Sequence, residues 1–227
     1  MSKVIIVAGD TGTGKTRSLL NLNPKETYIF NTLNKALPFK GSNSLYNAEN
    51  KNMYSTDNYA EIINILNGLN TKRPEIKNII IDDLGFVMLG EFFTRSAESG
   101  YNKFSDFGKH MQQIISTAKT LRDDLNVILV FHEDSDYSNN VKTNKKLKLI
   151  GQMLEDKYNP LAVVTVCLFT DVNLAKDGTA EYSFITNRTM INGEIIPAKS
   201  PEGMFESLRI PNDLNLVITK MNEYYNG

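Results

Sequence analysis

The chain has 227 residues and carries 25 Lys+Arg against 26 Asp+Glu, a formal charge of −1, so bulk charge announces no polyanion partner and any nucleic-acid contact must come from a local patch. A hydrophobic fraction of 41% with 22% charged residues excludes a disordered or fibrous chain. No apolar run nears the roughly 20 residues that span a bilayer, MSKVIIVAGD lacks a signal-peptide cleavage pattern, and the single Cys167 can form no internal disulfide, so a cytoplasmic protein without membrane contact is expected.

In chain order, KVIIVAG is a β-branched run closed by glycine, which predicts a buried parallel strand. GKTRSLLNL predicts a helix ended by Asn23 and Pro24, and TYIFN a second strand. The Pro-, Gly-, Ser- and Asn-rich stretch 34–52 reads as a long loop. STDNYAEIINILNGLN places Tyr59, Ile62, Ile63 and Leu66 on one helical face behind cap residues. IKNIIIDDLG is a third strand, SDFGKHMQQIISTAKTLRDDL an amphipathic helix capped by Ser105, and NVILVFHE a fourth strand. SNNVKTNKKLKLIGQ reads as a polar, basic loop. LAVVTVCLFT is a fifth strand, AKDGTAEYSFITN a hairpin turning at Asp177-Gly178, and the chain closes with INGEII and a helix near DLNLVITKMNEYY. The order predicts a single α/β domain over 1–227, with a mainly parallel sheet, helices on both faces and a C-terminal β-hairpin extension.

The first turn carries the chemistry. Gly9, Asp10, Thr11, Gly12, Thr13, Gly14, Lys15 and Thr16 fit G-x-x-x-x-G-K-[ST], between a strand and a helix start, where the Walker A pattern must lie. The glycines let backbone N–H groups close on a phosphate. A helix start adds unsatisfied N–H groups and the positive end of a dipole. Lys15 is expected on the β and γ phosphates and the Thr16 hydroxyl on Mg²⁺, so the expected ligand is ATP with Mg²⁺.

In NIIIDDLG, Asp82 and Asp83 follow an apolar strand, a Walker B arrangement. Adjacent strand residues face opposite ways, so one carboxylate serves the metal, and Asp82 is chosen. Asp83 is left either to orient or deprotonate the attacking water or to act as a cap or turn residue. His132 and Glu133 end the fourth strand, where ligands of parallel sheets bind. His132 is the candidate γ-phosphate sensor and Glu133 a candidate to polarise water, against a strand-end histidine and a solvated acidic turn. Lys142, Lys145, Lys146 and Lys148 lie in a stretch without an acid, which suits single-stranded nucleic acid or, equally, a solvated surface loop. Phe39 and Tyr46 offer stacking surfaces or plain loop packing. None of the six arginines lies between Asp123 and Asn187, where a small-molecule kinase of this size would carry an arginine-bearing lid.

The order of GDTGTGKT, TYIFNTLNKALPFKGS, NIIIDDLGFVM, VILVFHE, KLKLIGQMLEDK, AKSPEGMF and IPNDL, nearly the whole chain, resembles the phage-encoded P-loop ATPases with a RecA-like core, the single-strand annealing or recombinase-like proteins. The resemblance implies a further strand between the Walker A and Walker B strands, ATP-linked handling of single-stranded DNA, assembly into homo-oligomeric rings or filaments, and a host-cell cytoplasmic location. It also implies a basic residue supplied by a neighbouring subunit, for which Lys199 is the first candidate and Arg188 the second. The family's catalytic glutamate near the end of the second strand has no counterpart in YIFNTLN. The expected activity is Mg²⁺-dependent ATP hydrolysis coupled to single-stranded DNA; the alternatives are a nucleoside or nucleotide kinase and an ATP-gated assembly module with negligible turnover.

Overall fold

The computed structural model describes residues 1–100, 102–150 and 158–227. The end of the basic stretch, at Gly151 and Gln152, and most of KLKLIGQMLEDK lie outside the described residues.

The strands are β1 (Lys3–Gly9), β2 (Thr27–Asn31), β3 (Met53–Tyr54), β4 (Asn78–Asp82), β5 (Asn126–Ser138), β6 (Val141–Leu147), β7 (Val166–Leu174), β8 (Ala180–Ile185), β9 (Thr189–Ile191), β10 (Glu194–Ile196) and β11 (Arg209–Pro211). The helices are α1 (Ser42–Leu45), α2 (Tyr59–Lys72), α3 (Gly85–Thr94), α4 (Asn102–Thr120), α5 (Pro160–Val163) and α6 (Leu214–Asn226). The main sheet runs β11-β8-β7-β1-β5-β4-β2-β3, parallel from β7 to β3 and antiparallel at β8 and β11. β5 therefore lies between the P-loop strand β1 and the acidic strand β4, as the resemblance implied.

Alternation along β1 explains the layering. Val4, Ile6 and Ala8 join Ile62 and Leu66 of α2 and Phe107, Met111 and Ile114 of α4 on one face. Ile5 and Val7 join Leu19, Leu22 and the α6 residues Val217, Ile218 and Met221 on the other. Both faces of the central strands are covered, so the strands read as continuous apolar runs. Asn58 caps α2 by accepting from Ala60 and Glu61, and Asp213 caps α6 by accepting from Asn215 and Leu216.

Several expectations change, among them the fifth strand, which starts at Val166 while Leu161–Val163 lie in α5. After the P-loop there is only a 3₁₀ turn, Thr16–Leu19, in place of a full helix. Leu19 and Leu22 are both buried, a spacing of three that suits 3₁₀ geometry, and Asn21, Asn23 and Pro24 oppose continuation. The macrodipole contribution to phosphate binding shrinks accordingly. α4 starts at Asn102, so Ser105 lies inside it and is no cap. GFVMLGEFF, apolar apart from Glu91 and the two glycines, forms α3, which the predicted elements do not include.

The basic stretch is largely a strand rather than a loop. β5 runs on to Ser138 and returns as β6 through Asn139 and Asn140, at φ 50° and 64°. Two consecutive left-handed residues are what a type I′ hairpin turn requires, and asparagine tolerates them. β6 also pairs with β10, whose partner is β9.

Candidate nucleotide site

Three parallel strands deliver the site, β1 and β4 from their carboxyl ends and β5 from the point where its parallel pairing with β1 stops. β1 ends in the loop 9–16, β4 in Asp82 and Asp83, and β5 carries His132 opposite Gly9. A cleft of about 420 Å³ opens there, lined by Gly12, Lys15, Thr16, Lys35, His132 and Tyr182 among others. A larger hollow of about 620 Å³ lies near the amino ends of β1 and β7, beside Lys3, Asp124 and Val166, and holds none of these groups. The ligand position expected for a parallel sheet favours the smaller one.

The loop is shaped by contacts as well as by glycine. Gly14 has φ +96°, and a Cβ there would stand 2.8 Å from Tyr182 Cδ1. A Cβ on Gly9 would stand 1.7 Å from Thr170 Oγ1. That hydroxyl is 2.6 Å from Thr13 Oγ1, which donates to the Asp10 carbonyl at 2.7 Å, so β7 braces the loop from behind. Asp10, Thr11 and Gly12 are exposed at the loop crown. Lys15 folds its ammonium onto the Asp10 carbonyl at 2.9 Å. Burial pulls the Lys15 pKa down, with Asp83 and Asp82 opposing.

Thr16 Oγ1 donates to both oxygens of Asp82, at 3.0 and 3.1 Å. Burial, then the charge of Asp83, pushes the Asp82 carboxyl up to about 6. A hydroxyl and a buried carboxylate short of compensating charge form a donor set that fits Mg²⁺, which takes few protein oxygens and fills its shell with water and phosphate. Among the described residues no group of three or more His, Cys, Asp or Glu is placed to hold a metal ion.

Asp83 differs from its neighbour. It holds a left-handed backbone, φ +60°, and the Thr32 hydroxyl pins the turn by donating to the carbonyls of Asp82, at 2.8 Å, and Asp83, at 3.1 Å. Its carboxylate is ion-paired with Lys35, and His132 Nε2 lies 3.2 Å from Oδ1 without hydrogen-bond alignment. Burial pushes this carboxyl up, but His132 and Lys35 outweigh it and hold the pKa at about 2. The His132 ring is set by an edge contact to Phe86 of α3, with centroids 5.7 Å apart.

The structure thus brings together Gly9, Asp10, Thr11, Gly12, Thr13, Gly14, Lys15, Thr16, Asp82, Asp83 and His132. It does not bring Glu133 or Lys199 to the cleft lining. Glu133 is held by Lys145 at 2.6 Å and keeps its other oxygen buried. Lys199 exchanges backbone hydrogen bonds with Cys167, whose sheet partner is Ile6, three residues before Gly9. Arg188 is exposed near the start of β9.

Acids of β5 face the lysines of β6: Glu133 meets Lys145, and Asp136 meets Lys146 at 3.0 Å. Lys142 and Lys148 are exposed, and Tyr137, the cross-strand partner of Lys142, is 62% exposed. Tyr46 is buried with Phe39 against its edge, so these two pack the loop and offer no stacking platform.

Sequence reasoning missed Lys35, Thr32, Arg17 and Tyr182. Arg17 lies over the Tyr182 ring, 4.9 Å from its centroid, at the cleft wall. The signal for Lys35 was its place just after the second strand, where only an acid was sought.

Comparison with curated proteins found no match. The sequence model of a family described as AAA domain matches residues 1–194, most of the chain. With the strand order and the loop geometry above, the chain belongs to this AAA domain family and has the α/β fold of a P-loop nucleotide-binding protein.

Proposed function

We propose that this chain is a Mg²⁺-dependent ATPase whose turnover is coupled to single-stranded DNA, in the manner of the phage-encoded recombinase-like and annealing ATPases it resembles. One observation carries the hydrolytic reading: the two acids of the β4 end do different work. Asp82 sits on the Thr16 hydroxyl, and Asp83 is a low-pKa carboxylate beside His132. The P-loop amides and Lys15 bind the phosphates, Lys15 leaving the Asp10 carbonyl to do so. Thr16 and Asp82 would hold Mg²⁺, which supplies charge neutralisation at the β and γ phosphates. Water attacks the γ-phosphorus and the bond from that phosphorus to the ADP oxygen breaks, while Asp83 orients the water or, once Lys35 has left its carboxylate, accepts the water proton and releases it to solvent. His132, level with Gly9 where the parallel pairing of β5 with β1 stops, is the candidate to meet a γ-phosphate.

The coupling to DNA is supported by continuity. β5 carries His132 and then becomes the first strand of the lysine-bearing hairpin. A shift at His132 is passed along one strand to Tyr137 and the facing Lys142. The most available phosphate contacts are Lys142 and Lys148; Lys145 and Lys146 must first leave Glu133 and Asp136. Exposed pairs such as Lys146–Asp136 are weak enough for a phosphate to displace the acid. Assembly into a ring or filament would bring a neighbour's Lys199 or Arg188 to the site.

ATP hydrolysis measured with and without single-stranded DNA, at two salt concentrations, tests this reading. Stimulation that fades with salt supports it. Phosphoryl transfer to a nucleoside or nucleotide, with DNA inert, would make the protein a kinase. Tight binding without turnover would make it an ATP-gated module.

A further inference from the structure

We propose that Lys35 is a phosphate-binding residue of this site, held on Asp83 when no nucleotide is present and transferred to the γ-phosphate when a triphosphate binds. The inference rests on reading the cleft as an ATP site and adds a residue that the P-loop pattern does not specify.

Three observations converge. Lys35 Nζ is ion-paired with Asp83, and the two partners are unequal: the lysine side chain is 41% exposed and the aspartate 1%. Lys35 also lines the cleft together with Lys15, Thr16 and His132, so its head can move to a ligand there without unpacking any core. Asp83, by contrast, is fixed at its backbone. Thr32 holds its carbonyl, and the next residue donates from Leu84 N to the Val130 carbonyl of β5 at 2.8 Å. Of the two charges, the lysine is the one free to change partner.

The exchange has a chemical consequence. Both cleft ammoniums rest on protein oxygens, Lys15 on a carbonyl and Lys35 on a carboxylate. A polyphosphate is the natural competitor for both. ADP ends one phosphate short, so Lys35 stays on Asp83. ATP supplies the γ-phosphate, Lys35 moves to it, and Asp83 regains an oxygen able to accept from water. The same lysine would then recognise the triphosphate and uncover the base, in a chain that lacks an acid at the end of its second strand.

Equilibrium binding of a fluorescent ADP and of a non-hydrolysable ATP analogue, with Mg²⁺, tests the proposal on the wild type and three variants. Loss of a charge-assisted contact to phosphate predicts that Lys35→Ala binds the ATP analogue about tenfold more weakly and ADP within about twofold. Lys35→Arg should keep most of the discrimination. Asp83→Asn frees the lysine and should tighten the ATP analogue but not ADP, and this gain should vanish when combined with Lys35→Ala. Equal effects on both nucleotides, or no tightening in Asp83→Asn, would show that Lys35 only secures Asp83 and would overturn the proposal. Should Lys35→Ala not fold, Lys35→Gln takes its place in the single and the double variant, with the same outcomes expected. A wild type that binds neither nucleotide would overturn the ATP reading itself, whereas a wild type that binds both while Lys35 proves silent would sink only the exchange.

Discussion

Asp82 is placed where function wants a charge and folding does not. Its carboxyl is pushed from the usual 3.8 to about 6 by burial and by Asp83. A group whose pKa is raised on folding binds its proton more tightly in the folded state. Near pH 7 it is ionised in both states, and the folded state bears the cost of the buried charge. A shift of about 2 units corresponds to about 3 kcal/mol. That cost is relieved as pH falls from about 6 toward 3.8, where the folded protein takes up a proton first. Asp82→Asn removes the charge yet keeps an oxygen for the Thr16 hydroxyl. The nucleotide-free variant should therefore be more stable than wild type at pH 7.5, by up to about 3 kcal/mol, or roughly 6–12 °C in Tm for a chain of this size. The advantage should shrink steadily between about pH 6 and pH 4. Thermal denaturation of both proteins across that range is the assay. The same variant should lose Mg²⁺-dependent hydrolysis. A variant less stable than wild type at pH 7.5, or an advantage independent of pH, would refute the electrostatic reasoning.

Gly9→Ala forces the new methyl onto Thr170 Oγ1, breaks the Thr13–Thr170 contact and should cost about 1–3 kcal/mol by denaturant titration; a neutral result would mean that the loop is not braced by β7. Lys142→Glu with Lys148→Glu should weaken single-stranded DNA binding and lower the salt slope by roughly 1.4, since each lost phosphate contact contributes about 0.7; an unchanged slope in a filter or anisotropy assay would remove the hairpin from the DNA path. Lys145→Glu with Lys146→Glu should also weaken DNA binding, but with a lower Tm, because Lys145→Glu faces Glu133; unchanged DNA affinity would argue against the hairpin reading. Lys199→Ala should slow hydrolysis only at protein concentrations that permit assembly; normal rates there would reject a role in a neighbour's site.

The parts of the fold legible in the sequence were those set by local rules. β1 and β4 are built on runs of buried β-branched residues, and TYIFN, buried throughout with Thr27, Ile29 and two aromatics, coincides with β2. The Gly9–Thr16 loop announced itself because the spacing of glycine, lysine and threonine is a constraint on one short segment. What stayed hidden depended on distance along the chain. The basic segment looked free of acids, yet Glu133 answers Lys145 across twelve residues once Asn139 and Asn140 turn the strand. Lys35 meets Asp83 across 48 residues, and no periodicity reports such a pair. The helix expected after the P-loop is a single 3₁₀ turn, Thr16–Leu19; Asn23 and Pro24 mark where it must stop but not that it stops as early as Leu19.

Calorimetric titration of MgATP into the protein probes the grip of the Gly9–Thr16 loop on a polyphosphate. Saturable binding at one site per chain is expected, abolished by Lys15→Ala in a variant that keeps the wild-type circular dichroism spectrum. A flat titration of a folded wild type, or equal binding by Lys15→Ala, would contradict it.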